Sequence, residues 1–320
     1  RCSSCPEAIR AGVLCQHGPV KIRIGYGLGV RTRLNDTGFL TVVDALERLR
    51  FDSLWLSERI GGEAPDPLVA MSFAAARTQR LKFGMSVMVL PGRNPVVLAK
   101  ELATLDRMSG GRLLPAFGLG VADPQEQQAF GVERSERAAM FDEALAVVRS
   151  CWLDEKVDFS GRHYSYSGLR VEPKPVQTPP EVWLGGIAPS ELRRVGRLAE
   201  GWLPSFVTPS DAEAGWATIN EVAASHGRTI DDDHFGVLIP YTVGPAPQAL
   251  LDGLRARRPD LDDVSVIVPQ SWEELSRAIG RFVDVGASKF VVIPLSEPGS
   301  PDAWVTHLEE AAQVLQPLQT

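Results

Sequence analysis

The chain has 320 residues, 44% of them hydrophobic, enough for one large core or two average ones. Its 33 basic and 40 acidic side chains leave a formal charge of −7 with no basic run, which argues against a nucleic-acid partner. No apolar run approaches the ~18 residues that a membrane span needs, so no membrane partner is expected either.

In chain order, Cys2, Cys5 and Cys15 come first, with His17 close by. Thiolates and an imidazole have the right chemistry for a structural zinc. The last spacing is tight and nothing repeats it elsewhere, so the alternative is a dispensable leader over residues 1–19. The apolar run near residues 11–14 is too short for a secretory core, and the cytoplasm is the expected location.

Residues 21–28 read as a strand ending among Gly27 and Gly29, after which Asp36 or Thr37 is expected to cap a helix carrying Leu40, Val43, Leu46 and Leu49. A second strand, 53–57, runs directly into Glu58 and Arg59, and Asp66-Pro67 opens a helix to residue 78. Residues 81–120 form a strand–helix–strand unit. Its two strands, 81–89 and 113–119, are apolar on both faces, as a parallel sheet covered by helices requires. Between them Asn94 caps, Pro95 begins, Val97, Leu98, Leu102, Leu105 and Met108 are expected to face the sheet, and Gly110-Gly111 stops the helix. Asp106, Arg107 and Arg112 surround that stop as an ion pair or cap, with ligand contact as the alternative reading.

A polar helix, 124–130, and a longer one, 136–153, follow, the second ending beside Cys151, a core residue by its surroundings. Aromatic alternation around Ser160-Gly161 marks residues 157–171 as a small hairpin, and Pro173, Pro175, Pro179 and Pro180 stiffen the connector after it. Further strands are expected at 181–184, 201–205, 235–243 and 289–294. The helices between and after them begin at Pro189, at a Ser210 cap, and near residues 248, 272 and 304. Residues 264–268 read as a short extra strand or a buried loop. Eight strand–helix units in series define an α/β fold, a single (β/α)8 TIM barrel with a small hairpin insertion over residues 20–320.

The run Arg93-Asn94-Pro95, Leu98-Ala99-Lys100, Ala103-Thr104-Leu105-Asp106, Ser109-Gly110-Gly111-Arg112 and Gly118-Leu119-Gly120 resembles the signature of the bacterial luciferase-like monooxygenase superfamily. A second recurrent stretch, Glu172-Pro173-Lys174-Pro175-Val176-Gln177 through Pro180 to Val182-Trp183-Leu184-Gly185-Gly186, then Gly201-Trp202, resembles it too. The resemblance implies an oxidoreductase of the deazaflavin branch, with coenzyme F420 as cofactor and FMN-dependent monooxygenation as the alternative. It also implies a small-molecule substrate, a homodimer, and a cis peptide at Ser86-Val87 in a bulge behind the cofactor ring. Sugar-phosphate dehydrogenases of that branch carry Asp-His at the second strand end and Glu after the fourth. Here those places hold Ser57-Glu58 and Gly120-Val121.

In a barrel of this kind the active site lies at the carboxyl ends of the strands. The residues there are Gly27, Gly29, Ser57, Glu58, Ser86, Val87, Arg93, Gly118, Gly120, Gly185, Gly186, Ser205 and Tyr241, most of them small. Bare backbone at the mouth suits a broad, flat ligand such as a flavin or deazaflavin ring. Gly185-Gly186-Ile187 before Pro189 offers free N–H groups at a helix start for a cofactor phosphate, or simply tight strand-to-helix packing. Glu58 is the acid/base candidate, since a carboxylate beside an apolar ring has its pKa raised; the alternative is an ion pair with Arg59 or another rim arginine. His17, His163, His226, His234 and His307 are dispersed, so no metal site is expected. A barrel that binds a ligand without turnover is the remaining alternative.

Overall fold

Short strands buried on both faces must lie inside a shell of helices, and the chain builds that shell in sequence order. The computed structural model describes residues 21–320, so the leader with Cys2, Cys5, Cys15 and His17 lies outside the described residues. The strands are β1 (Arg23–Leu28), β2 (Ser53–Leu56), β3 (Lys82–Met85), β4 (Met88–Val89), β5 (Leu113–Leu114), β6 (Ala116–Gly118), β7 (Val157–Ser160), β8 (Ser165–Leu169), β9 (Trp183–Leu184), β10 (Gly201–Trp202), β11 (Gly236–Tyr241) and β12 (Lys289–Pro294). The helices are α1 (Asp36–Arg48), α2 (Pro67–Arg77), α3 (Pro95–Ser109), α4 (Pro124–Phe130), α5 (Arg137–Leu153), α6 (Pro189–Leu198), α7 (Pro209–Ser225), α8 (Gln248–Arg257), α9 (Trp272–Asp284) and α10 (Pro301–Leu315).

Two parallel sheets share the barrel wall. One runs β11-β12-β1-β2-β3-β5 and the other β10-β9-β6-β4. β3 passes into β4 across Ser86-Val87, whose peptide is cis, and β5 into β6 across Pro115, so each sheet hands over to the other. Parallel bridges from Trp202 to Phe235 and from Ser205 to Leu238 join β10 to β11 and close the ring. The result is the (β/α)8 barrel, with β7 and β8 paired antiparallel as the hairpin outside it.

The strands expected at 81–89 and 113–119 are therefore each broken in two. The α1 cap is Asn35, whose Oδ1 accepts from Gly38 N at 2.8 Å, in place of Asp36 or Thr37. Thr208 caps α7, accepting from Asp211 N at 3.2 Å, in place of Ser210, which lies one step inside the first turn. Val97 and Met108 do not face the sheet. They lie about three turns apart on one line of α3, beside the stripe of Leu98, Leu102 and Leu105, and are 51% and 82% exposed. Residues 264–268 form neither strand nor irregular loop but a short 3-10 helix, Val264–Ile267. Asn94 and Gly110 behave as expected: Asn94 Oδ1 accepts from Val96 N and Val97 N, and Gly110 takes the left-handed conformation at φ 71°. Asp106 is buried and ties the proline connector down, accepting from Val176 N at 2.7 Å and Gln177 Nε2 at 2.6 Å.

Two indoles fill the barrel interior. Trp55 of β2 and Trp183 of β9 are buried with Ala116, Leu203, Val291 and Ile293. Neighbouring strands give way to them: a Cβ at Gly84 would come within 2.5 Å of the Trp55 ring, and one at Gly201 within 2.5 Å of the Trp183 ring. At the amino end of the strands Lys289 Nζ donates to Asp52 Oδ2 at 2.9 Å, with the Trp55 and Trp183 ring centres 5.8 and 6.0 Å away. Burial alone would push the Asp52 carboxyl up, yet Lys289 and Lys82 hold it well below the usual carboxylate range.

This packing makes a specific demand. Gly84→Ala forces a methyl into the Trp55 ring and is expected to cost about 1–3 kcal/mol in urea unfolding. In a Trp55→Phe background the same change should cost less, because the smaller ring leaves room. Strictly additive losses would mean that Trp55 is not the neighbour that matters.

Candidate functional site

With the interior filled by the two indoles, the main open space among the described residues lies where the strands end. A cavity of about 730 Å³ opens there, lined from successive strand ends by Gly29, Ser57 and Glu58, Ser86 and Val87, Gly118 and Gly120, Gly185 and Gly186, Ser205, Leu238 and Ile293. That volume lies within the range of small-molecule and cofactor sites. Three of the expected mouth residues, Gly27, Arg93 and Tyr241, stand elsewhere, as does Ile187 of the expected phosphate site. Gly27 faces the interior, where a Cβ would run into the Ile293 side chain. Ile187 points outward, 41% exposed. Arg93 stands behind Glu58. Tyr241 is fully buried, its OH 3.0 Å from Tyr26 OH and 2.7 Å from His307 Nε2, and burial pushes its pKa far up, so it has no route to a reacting atom.

Val87 forms the floor between two glycines. A Cβ at Gly118 would come within 2.5 Å of Val87 Cγ2, and one at Gly185 would lie 3.8 Å from Val87 Cγ1 and 3.3 Å from Leu203 O. On the Gly118 side only bare backbone can flank the valine this closely, whereas Gly185 is limited by the Leu203 carbonyl and would meet Val87 in ordinary contact. Beside it the Ser57 and Ser86 hydroxyls lie 3.4 Å apart. Gly120 turns the chain away at φ 80°, a left-handed conformation that favours glycine.

Glu58 is a charged group at the cavity's edge beside the Val87 floor, and its side chain is 4% exposed. Its Oε2 accepts from Val89 N at 2.7 Å, and its Oε1 accepts from Arg93 Nη2. Burial raises its pKa and Arg93 pulls it back, with burial the stronger influence. Arg93 is itself fixed, donating through Nε to Val89 O at 2.8 Å with its guanidinium 5.6 Å over the Phe130 ring. The ion pair is thus with Arg93. Arg59 instead reaches α4, donating to Glu126 Oε1 at 3.1 Å and Asp123 Oδ2 at 3.2 Å.

At the start of α6, Glu191 Oε2 accepts from Ile187 N at 3.0 Å and Ala188 N at 2.9 Å. This is half of a capping box, since Ala188 has no side-chain acceptor to return. It satisfies locally the donors that the sequence reading reserves for a phosphate. Glu126, Glu191, Arg194, Phe206, Glu297 and the α8 wall also line the cavity and have no place in the sequence reading. Glu126 and Glu191 had a local signal, an acid three residues after a helix cap position. Arg194 pairs with Asp142 at 2.8 Å, and Glu297 accepts from Thr32 Oγ1 while burial raises its pKa. Among the described residues Asp231, Asp233 and His234 bring three metal-type donors together, but just before β11, at the amino end and away from the cavity.

The profile described as luciferase-like monooxygenase matches residues 29–287. An F420-dependent glucose-6-phosphate dehydrogenase of Microbacterium testaceum is 27% identical over 262 residues, covering 77% of this chain and 76% of the relative. Matches to dehydrogenases of this name span 57 to 76% of their lengths. Among solved structures, an F420-dependent secondary alcohol dehydrogenase in complex with an F420-acetone adduct superposes with a TM-score of 0.77 at 20% identity, covering 94% of this chain and 100% of that one. The FMN-bound oxygenating constituent of 3,6-diketocamphane monooxygenase from Pseudomonas putida superposes at 0.74 with 17% identity, covering 94% and 99%. At these identities the likeness is one of fold.

Removing Arg93 should expose its hold on Glu58. Arg93→Met leaves a buried carboxylate without its partner, so the Glu58 pKa is expected to rise further and stability to fall by about 3–5 kcal/mol. Carbon NMR of the glutamate carboxyls across pH, with urea unfolding, reads both. An unmoved Glu58 titration would mean that Arg93 does not govern it.

Proposed function

The chain belongs to the luciferase-like monooxygenase family, and from that premise we propose that it is an oxidoreductase using the deazaflavin F420 to move hydride to or from a small organic substrate. The observation that supports this reading is the floor of Val87 beside bare backbone at Gly118 and Gly185 beneath an open cavity, a surface with room for a wide planar ring. Held over Val87 and the backbone of Gly118, Gly120, Gly185 and Gly186, a deazaflavin would supply hydride-acceptor chemistry for a carbinol substrate, whose hydroxyl proton would fall to Glu58.

Everything else falls to the chain's own residues. Val87 and the bare backbone at Gly118, Gly120, Gly185 and Gly186 support the ring, and the Ser57 and Ser86 hydroxyls offer hydrogen bonds at its edge. Glu58 holds the proton, at Oε1 or Oε2. Its burial and raised pKa suit that exchange, and Arg93 and Val89 N fix its position. In alcohol oxidation the ionised form is the working one, so kcat/KM should rise as pH climbs through that raised pKa. FMN is the second reading, favoured by the FMN-bound monooxygenase of the same fold, because the Val87 floor alone does not discriminate between the two ring systems.

Fluorescence titration decides between cofactors. F420 is expected to bind much more tightly than FMN, and tight FMN binding with oxygen-dependent turnover would move the assignment to a monooxygenase. The phosphate position has its own test. If the cofactor phosphate takes the Ile187 and Ala188 donors, it must displace the Glu191 carboxylate, so Glu191→Ala should tighten F420 binding; weaker binding would place the phosphate elsewhere. Glu58→Gln keeps the side chain's size but cannot take a proton. It should preserve cofactor affinity and lower kcat by about 10²–10⁴. Full turnover by this variant would leave Glu58 only its role as anchor for Arg93 and Val89.

A further inference from the structure

The cavity has two unlike halves. Toward β4, β6 and β9 the wall is backbone, glycine and hydroxyl, the half assigned above to the cofactor. Toward β11, β12 and α8 it is Phe206, Leu238, Pro247, Leu250, Leu254 and Leu295. This second wall has its own small core. Leu254 is buried with Val264, Ile267 and Val268, and Phe206, Leu250 and Leu295 pack against them. Arg258 pins the assembly to the barrel, donating through Nη1 to Phe206 O at 2.6 Å and through Nη2 to Asp211 Oδ2 at 2.9 Å. Phe206 holds φ at 58°, in the left-handed region, and its ring lies 5.6 Å beneath the Arg257 guanidinium at the rim.

Resting on the deazaflavin reading, we propose that this half is the substrate lobe and that it takes an alkyl-bearing secondary alcohol or the matching ketone, not a sugar phosphate. A hexose brings several hydroxyls that must each give up water, and a wall of leucines returns none of those hydrogen bonds. A phosphate dianion needs converging donors. Of the cavity's four arginines, Arg59 and Arg194 are already matched to Glu126 and Asp142, Arg257 is exposed and set over a ring, and Arg31 is exposed on the opposite, β1 side near Glu63, so the four do not converge on the α8 half. An alkyl chain gains from this wall with every methylene it buries. The contrast matters because the dehydrogenases matched over most of this chain are named for glucose 6-phosphate.

The test uses the full chain, with and without F420, and reads ligand-induced thermal shifts across the series from 2-propanol to 2-octanol, the matching 2-ketones, and glucose 6-phosphate. Apparent affinity is expected to rise about fourfold per methylene until the lobe is full, while glucose 6-phosphate gives no shift. Leu250→Asn should flatten the series and leave F420 affinity unchanged. Leu295→Asn, from the β12 side, should do the same, so a fold defect in one variant does not decide the matter. A flat series in the unaltered protein, or protection by glucose 6-phosphate in preference to the alcohols, overturns the lobe assignment. If F420 fails to bind while the series still climbs, the cofactor reading falls and the lobe stands.

Discussion

Two indoles at the centre of the barrel decide where chemistry can happen. Trp55 and Trp183 occupy space that Gly84 and Gly201 vacate on neighbouring strands, and the Lys289–Asp52 pair closes the amino end beneath them. A ring of eight strands leaves an interior just wide enough for side chains, and here those side chains fill it. The main cavity lies at the strand carboxyl ends, and its floor there is set by what stands on top of the packed layer: Val87, held between Gly118 and Gly185.

Most of the residues that carry the family resemblance serve this architecture and do not touch the cavity. Asn94 caps α3, Gly110 ends it, and Asp106 binds the backbone of Val176 and Gln177, fastening one recurrent stretch to the other. Arg93 steadies Glu58 and the turn at Val89. A shared scaffold explains how enzymes named for different cofactors and substrates superpose on this chain. In this chain the wall that faces the cavity from α8 carries a small apolar core of its own.

The barrel was legible because each strand is an apolar run bounded by turn residues, and the site's location then follows from the fold. Most helix ends lie within a residue or two of the expectation, α10 excepted, which begins at Pro301 after a Ser300 cap and not near 304; a cap depends on which of several adjacent polar side chains reaches back, and Asn35 and Thr208 do so before their neighbours. Val97 and Met108 misled because α3 is apolar around more of its circumference than it buries. Small residues at strand ends marked Ser57, Ser86, Gly118, Gly120, Gly185 and Gly186 as mouth residues. They could not show that Gly27 yields its space to Ile293, since that depends on a strand paired from the far end of the chain. The cavity-side roles of Glu126, Glu297 and Arg258 depend on partners distant in sequence: Arg59 for Glu126, Thr32 for Glu297, and Phe206 O and Asp211 for Arg258.

The central claim is that a deazaflavin ring lies on the Val87 floor with its reacting face turned toward the α8 wall. A crystal structure of the chain with oxidised F420 tests it most directly. The account predicts the tricyclic ring in contact with Val87, the backbone of Gly118 and Gly185 along its edges, and Leu250 and Leu295 across the open space from it. A ring bound against the α8 leucines, or outside the barrel mouth with the Val87 floor uncovered, would contradict it.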